Sequence, residues 1–231
     1  MSPPRWTVAA FAVALAGSGL VALAIAFAGG GTYAALAREN GFAETQFLYP
    51  PGDPAAQPRP TDLATLLRWH ERWSAYVLGR STDPLLGSDD PAFTADEVSH
   101  MADVRRVFIG AQAAMYVSLV VLILLIGLAL RRGPRTAGLL LRNGALAVGA
   151  VVLVVGIVAA VAFEPVFLAF HYVFFPQGNF LFGPGSNLIR LYPEAYWYAV
   201  TLRVGVAFVV MTAVVALIGW LMSRSGIVTR P

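Results

Sequence analysis

Four stretches of the chain stay apolar for longer than a bilayer core requires: 6–28, 107–130, 144–163 and 199–221. A hydrocarbon layer of about 30 Å is crossed by about 20 residues of helix. The pattern therefore predicts an all-α membrane protein with four transmembrane helices, forming one membrane domain over residues 1–231. Between the spans lie two long segments, 29–106 and 164–198, where polar residues return and other elements are expected. Gly29-Gly30-Gly31 reads as a flexible exit from the first span. Phe42–Tyr49 alternates loosely and suggests a short strand, which the run Pro50-Pro51-Gly52-Asp53-Pro54 ends. Leu63, Leu66, Leu67, His70, Trp73 and Val77 recur at three- and four-residue spacing, the signature of a helix with one apolar face. Thr61 is its expected N-cap, with Asp62 in the first turn. Trp69 and Trp73 are expected to anchor it at the membrane interface.

After a stop at Ser88-Asp89-Asp90-Pro91, a helix start is written clearly. Thr94 and Glu97 make a capping box, and Phe93 with Val98 a hydrophobic staple. Nothing up to Leu130 breaks this helix except the tolerable Gly110, so its first turns should run straight into the second span. At the far end of the third span, Glu164-Pro165 marks a kink. Val166–Phe175 is too short to cross and too apolar for a free loop, and it predicts a short helix. Turns follow at Pro176–Asn179 and Gly183–Asn187, and Tyr192, Tyr196, Trp197 and Tyr198 supply an aromatic belt before the last span.

Charge orients the chain. Arg5, Arg131, Arg132, Arg135, Arg142, Arg224 and Arg230 flank the spans on one side, with no acid among them, whereas all 13 Asp and Glu fall in the two long loops. The positive-inside rule puts both termini and the middle link in the cytoplasm, and loops 29–106 and 164–198 outside. The net charge of +3 is thus a topology signal rather than a nucleic-acid footprint. The first apolar stretch exceeds the usual signal-peptide core of about 7–15 residues, so it is expected to remain as an anchor. There is no cysteine, which excludes disulfides, thiolate nucleophiles and thiolate metal sites. Lysine is absent as well, so no Schiff base can form.

The chemistry that remains is imidazole. His70, His100 and His171 all fall on the predicted outer side. His70 sits on the apolar face of its helix and reads as structural. His171, in Phe170-His171-Tyr172-Val173-Phe174-Phe175-Pro176, would alone read as an interfacial residue with an apolar body and a polar tip. His100 changes that reading, because two groups able to exchange protons near neutral pH then flank one membrane face. Asp103, three residues on, is placed to orient His100. Asn179 fits a turn better than an oxyanion donor. These ligands are too few for a metal centre, and no GxSxG elbow is present. A single haem held by His100 and His171, or a non-enzymatic membrane scaffold, are the readings that compete with proton-transfer catalysis.

At these residues the chain resembles the lipoprotein intramolecular transacylase (Lit) family. The likeness rests on Tyr76-Val77-Leu78-Gly79, on Glu97-Val98-Ser99-His100-Met101-Ala102-Asp103-Val104, and on the stretch Phe170–Pro176. It continues through Gly178-Asn179-Phe180-Leu181-Phe182 and Leu188-Ile189-Arg190-Leu191-Tyr192-Pro193-Glu194; the insert Pro50–Pro60 departs from it. The resemblance implies a multi-pass enzyme of the bacterial cytoplasmic membrane, without cofactor, acting among membrane lipids on diacylglyceryl-modified lipoproteins. The sn-2 acyl chain would move to the α-amine of the lipoprotein's own terminal cysteine, giving an N-acyl lyso form. His100 and His171 would be the catalytic pair, with Asp103 and Asn179 in support. Phe167, Phe170, Phe174, Phe175, Arg190 and Tyr192 would contact substrate. Donor and acceptor on one molecule let proximity supply much of the acceleration without an acyl-enzyme.

Overall fold

The computed structural model describes residues 2–83 and 92–225. The stop expected at Ser88–Pro91 lies outside them. The elements run α1 (Arg5–Phe27), α2 (Gly30–Glu39), β1 (Thr45–Tyr49), β2 (Gln57–Thr61), α3 (Leu63–Val77), α4 (Ala95–Arg131), α5 (Pro134–Val161), α6 (Phe163–Phe174), α7 (Asn187–Leu191) and α8 (Glu194–Ser225). α1, α4, α5 and α8 are each long and apolar enough to cross a membrane. The fold class read from the hydrophobic pattern is the one observed: helices throughout, with one two-stranded sheet.

The chain divides into two compact units. The first comprises residues up to 24, 111–158 and from 202 onward. Its centre is Phe11, Leu15, Leu140, Val148 and Phe208, while Val120, Ile123, Leu124, Val151, Val154, Val210 and Leu217 stay exposed. In water such a surface would aggregate; against hydrocarbon it is the expected finish. With little hydrophobic gain between helices in lipid, close approach depends on small residues. A Cβ on Gly138 would sit 2.5 Å from the Gly219 carbonyl oxygen, so α5 and α8 meet there only because both residues are glycine.

The second unit, residues 25–110 and 159–201, carries every candidate site residue. Its core gathers Tyr33, Leu36, Phe47, Leu66, Trp69, Trp73, Phe93 and Leu191. Trp69 (7% exposed) and Trp73 (0%) are core residues and not membrane anchors, a correction to the sequence reading. Phe93 packs edge-on against both rings, which turns the apolar face of α3 inward. Two further departures are local. The glycine exit forms the start of a helix, α2, whose Tyr33, Leu36 and Ala37 are buried, so tertiary packing overrides glycine's poor propensity. The α3 cap is Asp62, whose carboxylate accepts from the Thr65 N–H at 2.9 Å. Thr61 instead ends β2, and its hydroxyl accepts from the Phe47 N–H. β2 itself lies in the Pro-rich insert and pairs antiparallel with β1, Thr45 opposite Thr61 and Tyr49 opposite Gln57.

The capping box is formed as read: the Thr94 N–H donates to Glu97 at 2.7 Å and the Glu97 N–H to Thr94 Oγ1 at 3.2 Å. α4 then continues unbroken for 37 residues. The end of α3 is fastened to it. Gly79 takes a positive φ of 79° that a side chain would resist. Arg105 of α4 donates to the Tyr76 carbonyl and stacks over the Tyr76 ring.

Candidate active site on α4 and α6

Glu97, His100 and Asp103 follow one another at three-residue spacing and so form one stripe along α4. Each side chain of that stripe meets the chain segment that runs from α6 to α7. Glu97, 1% exposed, accepts hydrogen bonds from the Ser186 hydroxyl and, at 2.9 Å, from the Leu188 N–H. A buried carboxylate saturated with donors in this way fixes where the return segment lies. Beside it, Asn187 spends its whole amide on backbone, donating to the Leu48 and Ala92 carbonyls and accepting from the Leu48 N–H.

At the next position, His100 faces His171 of α6. The ring centroids are 6.2 Å apart and the planes nearly parallel, at 21°. Phe175 packs on both rings, at 4.9 Å from His100 and 5.6 Å from His171. Phe182 covers His100 at 5.6 Å, and Phe180 and Phe167 cover His171 at 5.0 and 4.1 Å. His171 Nδ1 lies 2.8 Å from the Phe167 carbonyl, which can only accept, so this nitrogen carries the proton. In the neutral ring Nε2 is then the free base. His100 Nδ1 is buried without a partner. A buried imidazole nitrogen without a protein partner is free to meet a substrate group.

Electrostatics follow from burial. His100 lies in the part of α4 that precedes its apolar run from Val107. Burial lowers its pKa to about 4 and neighbouring His171 acts in the same direction, opposed in part by a hydrogen bond with the Asn179 side chain and by the Asp103 carboxylate. His171 is also pushed below the ordinary imidazole value by burial, partly opposed by the Phe167 carbonyl. Both rings are therefore neutral at pH 7. One can accept a proton while the other donates an N–H.

The third position departs from the sequence reading. Asp103 makes no hydrogen bond to His100, although its charge does raise the basicity of that ring as its spacing suggests. Its carboxylate accepts from the side-chain amides of Gln177 and Asn179, both at 2.6 Å, and pairs with Arg106. Asp103 thus holds the turn that leads into Phe180 and supports His171 through that turn. Sequence alone does not single out Gln177, Phe180 or Phe182. Gln177 and Phe182 act on α4 residues more than 70 positions away, as the separation of 74 between Gln177 and Asp103 illustrates, whereas Phe180 packs on His171 only because the turn folds back.

Of the other expected substrate contacts, Phe167 and Phe175 flank the pair, and exposed Phe170 touches His171 at 5.6 Å. Phe174 stacks on Phe170, one ring further out. Tyr192 and Arg190 are engaged elsewhere. The Tyr192 ring reaches His171 only through Trp197 and Phe167. Arg190 donates to the Gln46 carbonyl at 2.7 Å. His70 is the centre of a separate cluster. Its Nε2 must donate to the Ala28 carbonyl (3.1 Å), leaving Nδ1 to accept from the Tyr192 hydroxyl (3.1 Å), and Tyr33 stacks on its ring.

Comparison with known proteins decides the family. The family model for the lipoprotein intramolecular transacylase Lit matches residues 62–197, more than half of the chain and all of the α4–α6 site. The chain belongs to the Lit family. Among solved structures it is similar to the in meso structure of the membrane integral Lit from Bacillus cereus, with a TM-score of 0.68 and 14% identity, covering 96% of this chain and 97% of that one. A histidine-to-arginine variant of the same Bacillus cereus protein gives a TM-score of 0.67 at 13% identity, covering 98% and 94%. No curated protein matches. At such identities the likeness is one of fold. With four membrane-length helices, this Lit-family chain is a multi-pass membrane protein and an acyltransferase that modifies lipoproteins.

Proposed function

We propose that His171 and His100 jointly carry the proton traffic of transacylation. The observation behind the assignment is the stacked imidazole pair, one ring with its tautomer set by Phe167 and the other with a buried, unpartnered nitrogen. At 6.2 Å between centroids, nothing fits flat between the rings, since two contacts of about 3.5 Å would be needed. The reacting ester therefore sits at their shared edge. The lipoprotein's terminal α-amine attacks the sn-2 ester carbonyl carbon, and His171 Nε2 takes the amine proton. His100 donates its N–H to the developing oxyanion. As the acyl C–O bond breaks, the proton on His171 passes to the glycerol oxygen. The products are an amide and a free hydroxyl, and the enzyme returns to its starting protonation state with no acyl-enzyme formed.

Phe167, Phe170 and Phe175 offer the apolar surface for the two acyl chains, and Asp103 with Gln177 and Asn179 holds the turn in place. The site faces the extracytoplasmic leaflet, where the substrate's ester carbonyls lie, and both termini are cytoplasmic, as the arginine asymmetry indicates. Haem-based electron transfer and a purely structural role are not favoured by the family assignment. The reaction leaves total mass unchanged, so the test is tandem mass spectrometry on a diacylglyceryl lipopeptide with an isotope-labelled sn-2 chain. The label is expected on the terminal nitrogen after incubation with the reconstituted protein. A label that stays on glycerol, or is released as free fatty acid, rejects the proposal.

A further inference from the structure

The substrate of a transacylase of this kind is a lipid at one end and a polypeptide at the other. Its peptide portion cannot follow the acyl chains into hydrocarbon, where unpaired backbone groups are penalised by several kcal/mol each. It must leave the hydrocarbon close to the imidazole pair, so a cleft next to that pair is a candidate for holding it. The second unit contains a cleft of about 320 Å³, near the lower end of the range of ligand pockets. Three pieces of chain wall it: the β1–β2 turn at residues 51–54, the loop with Phe182, Gly183 and Gly185, and the first turn of α4 with Thr94 and Glu97.

Two of these wall residues connect the cleft to the chemistry. Phe182 lines the cleft and also packs on His100. Glu97 lines it one helical turn before His100 on the same face of α4. Two lining residues, Glu97 and Asn187, are each 1% exposed and hydrogen-bonded to neighbouring chain segments. Gly52, Gly183 and Gly185 line it without side chains, which leaves room for an extended main chain to pass. A larger hollow of about 680 Å³ at Glu44, Gln46, Asp62 and Thr65 shares no residue with the surroundings of the histidines.

We infer that the 320 Å³ cleft holds the peptide segment that follows the lipidated residue of the lipoprotein. The inference rests on the transacylase reading and adds to it a subsite for the protein half of the substrate. Gly183 lies outside the left-handed region and a Cβ added there would meet nothing within 4 Å, so Gly183→Trp sets an indole at the cleft wall without straining the backbone. Pro54→Trp, on the exposed opposite wall, fills it from the other side.

The experiment compares two substrates in proteoliposomes: a diacylglyceryl lipopeptide of several residues, and diacylglyceryl-cysteine amide with no peptide. In each tryptophan variant kcat/KM for the lipopeptide is expected to fall by about tenfold or more, a difference of about 1.4 kcal/mol in transition-state stabilisation. Turnover of the peptide-free substrate is expected to stay within about twofold of wild type, the scale of a surface change. Equal loss on both substrates, or no loss on either, overturns the inference while leaving the transacylase reading intact. Failure of the wild type to convert either substrate removes that reading and the inference with it.

Discussion

Replacing Asp103 by alanine tests how the turn after α6 is held. The carboxylate accepts from Gln177 and Asn179 at 2.6 Å each and pairs with Arg106. The Arg106 side chain is 75% exposed, so that ion pair adds little, on the order of 0–1 kcal/mol. The two amide bonds to a nearly buried carboxylate are the stronger part, about 1.5–3 kcal/mol each at most. Because Gln177 is exposed and Asn179 half-buried, water replaces part of what is lost. A net loosening of the turn by about 2–3 kcal/mol follows. Phe180 rides on this turn and covers His171, so the pair loses its fixed approach. We expect Asp103→Ala to lower the transacylation rate about 10- to 100-fold, equivalent to about 1.4–2.8 kcal/mol. Asp103→Asn, whose carbonyl still accepts from both amides, should recover most of it. Hydrogen exchange should rise across residues 176–182 in the alanine variant and leave α4 protected. A rate within about threefold of wild type, or exchange that rises through α4 as well, refutes the reasoning.

Two further outcomes follow from the titrating groups. Burial holds His70 at about pH 4 in the folded protein against 6.5 when free, so the unfolded chain binds a proton first as pH falls. Stability is therefore complete above pH 6.5 and declines toward pH 4, by roughly 3 kcal/mol at most from this group. Thermal melts in detergent should show that slope, and His70→Phe should flatten it without abolishing it, because His100 is lowered in the same way. The rate of transacylation should rise with pH through the substrate amine's own value of about 8. Burial lowers both His100 and His171, so any inflection that they add is expected below 6.5. An inflection near 6.5 that vanishes in His171→Gln would contradict the assigned burial.

Local signals in the sequence translate directly. Apolar runs longer than a bilayer become α1, α4, α5 and α8, and Thr94 with Glu97 begins a helix that does not stop until Arg131. The convergence of His100 and His171 is also legible, because two costly imidazoles near one membrane face have few other reasons to be there. What stays hidden depends on distant partners. Asp103 looks like an orienter of its helix neighbour His100, but amides 74 and 76 residues away claim its oxygens. Trp69 and Trp73 carry the same composition signal as interfacial anchors, and distant partners such as Phe93 and Leu191 make them core. β2 is invisible because prolines remove ladder donors; Pro58 and Pro60 survive there because β2 pairs with β1 alone among the described strands.

The most direct measurement is the acyl position on a lipopeptide after reaction with His171→Ala and with His100→Ala, each checked for a wild-type melting profile in detergent. The folded His171 variant is expected to leave the sn-2 chain on glycerol, and the His100 variant to be slowed by at least about 100-fold, the scale of a lost oxyanion donor. N-acylation at the wild-type rate in either folded variant would contradict the assignment of the pair.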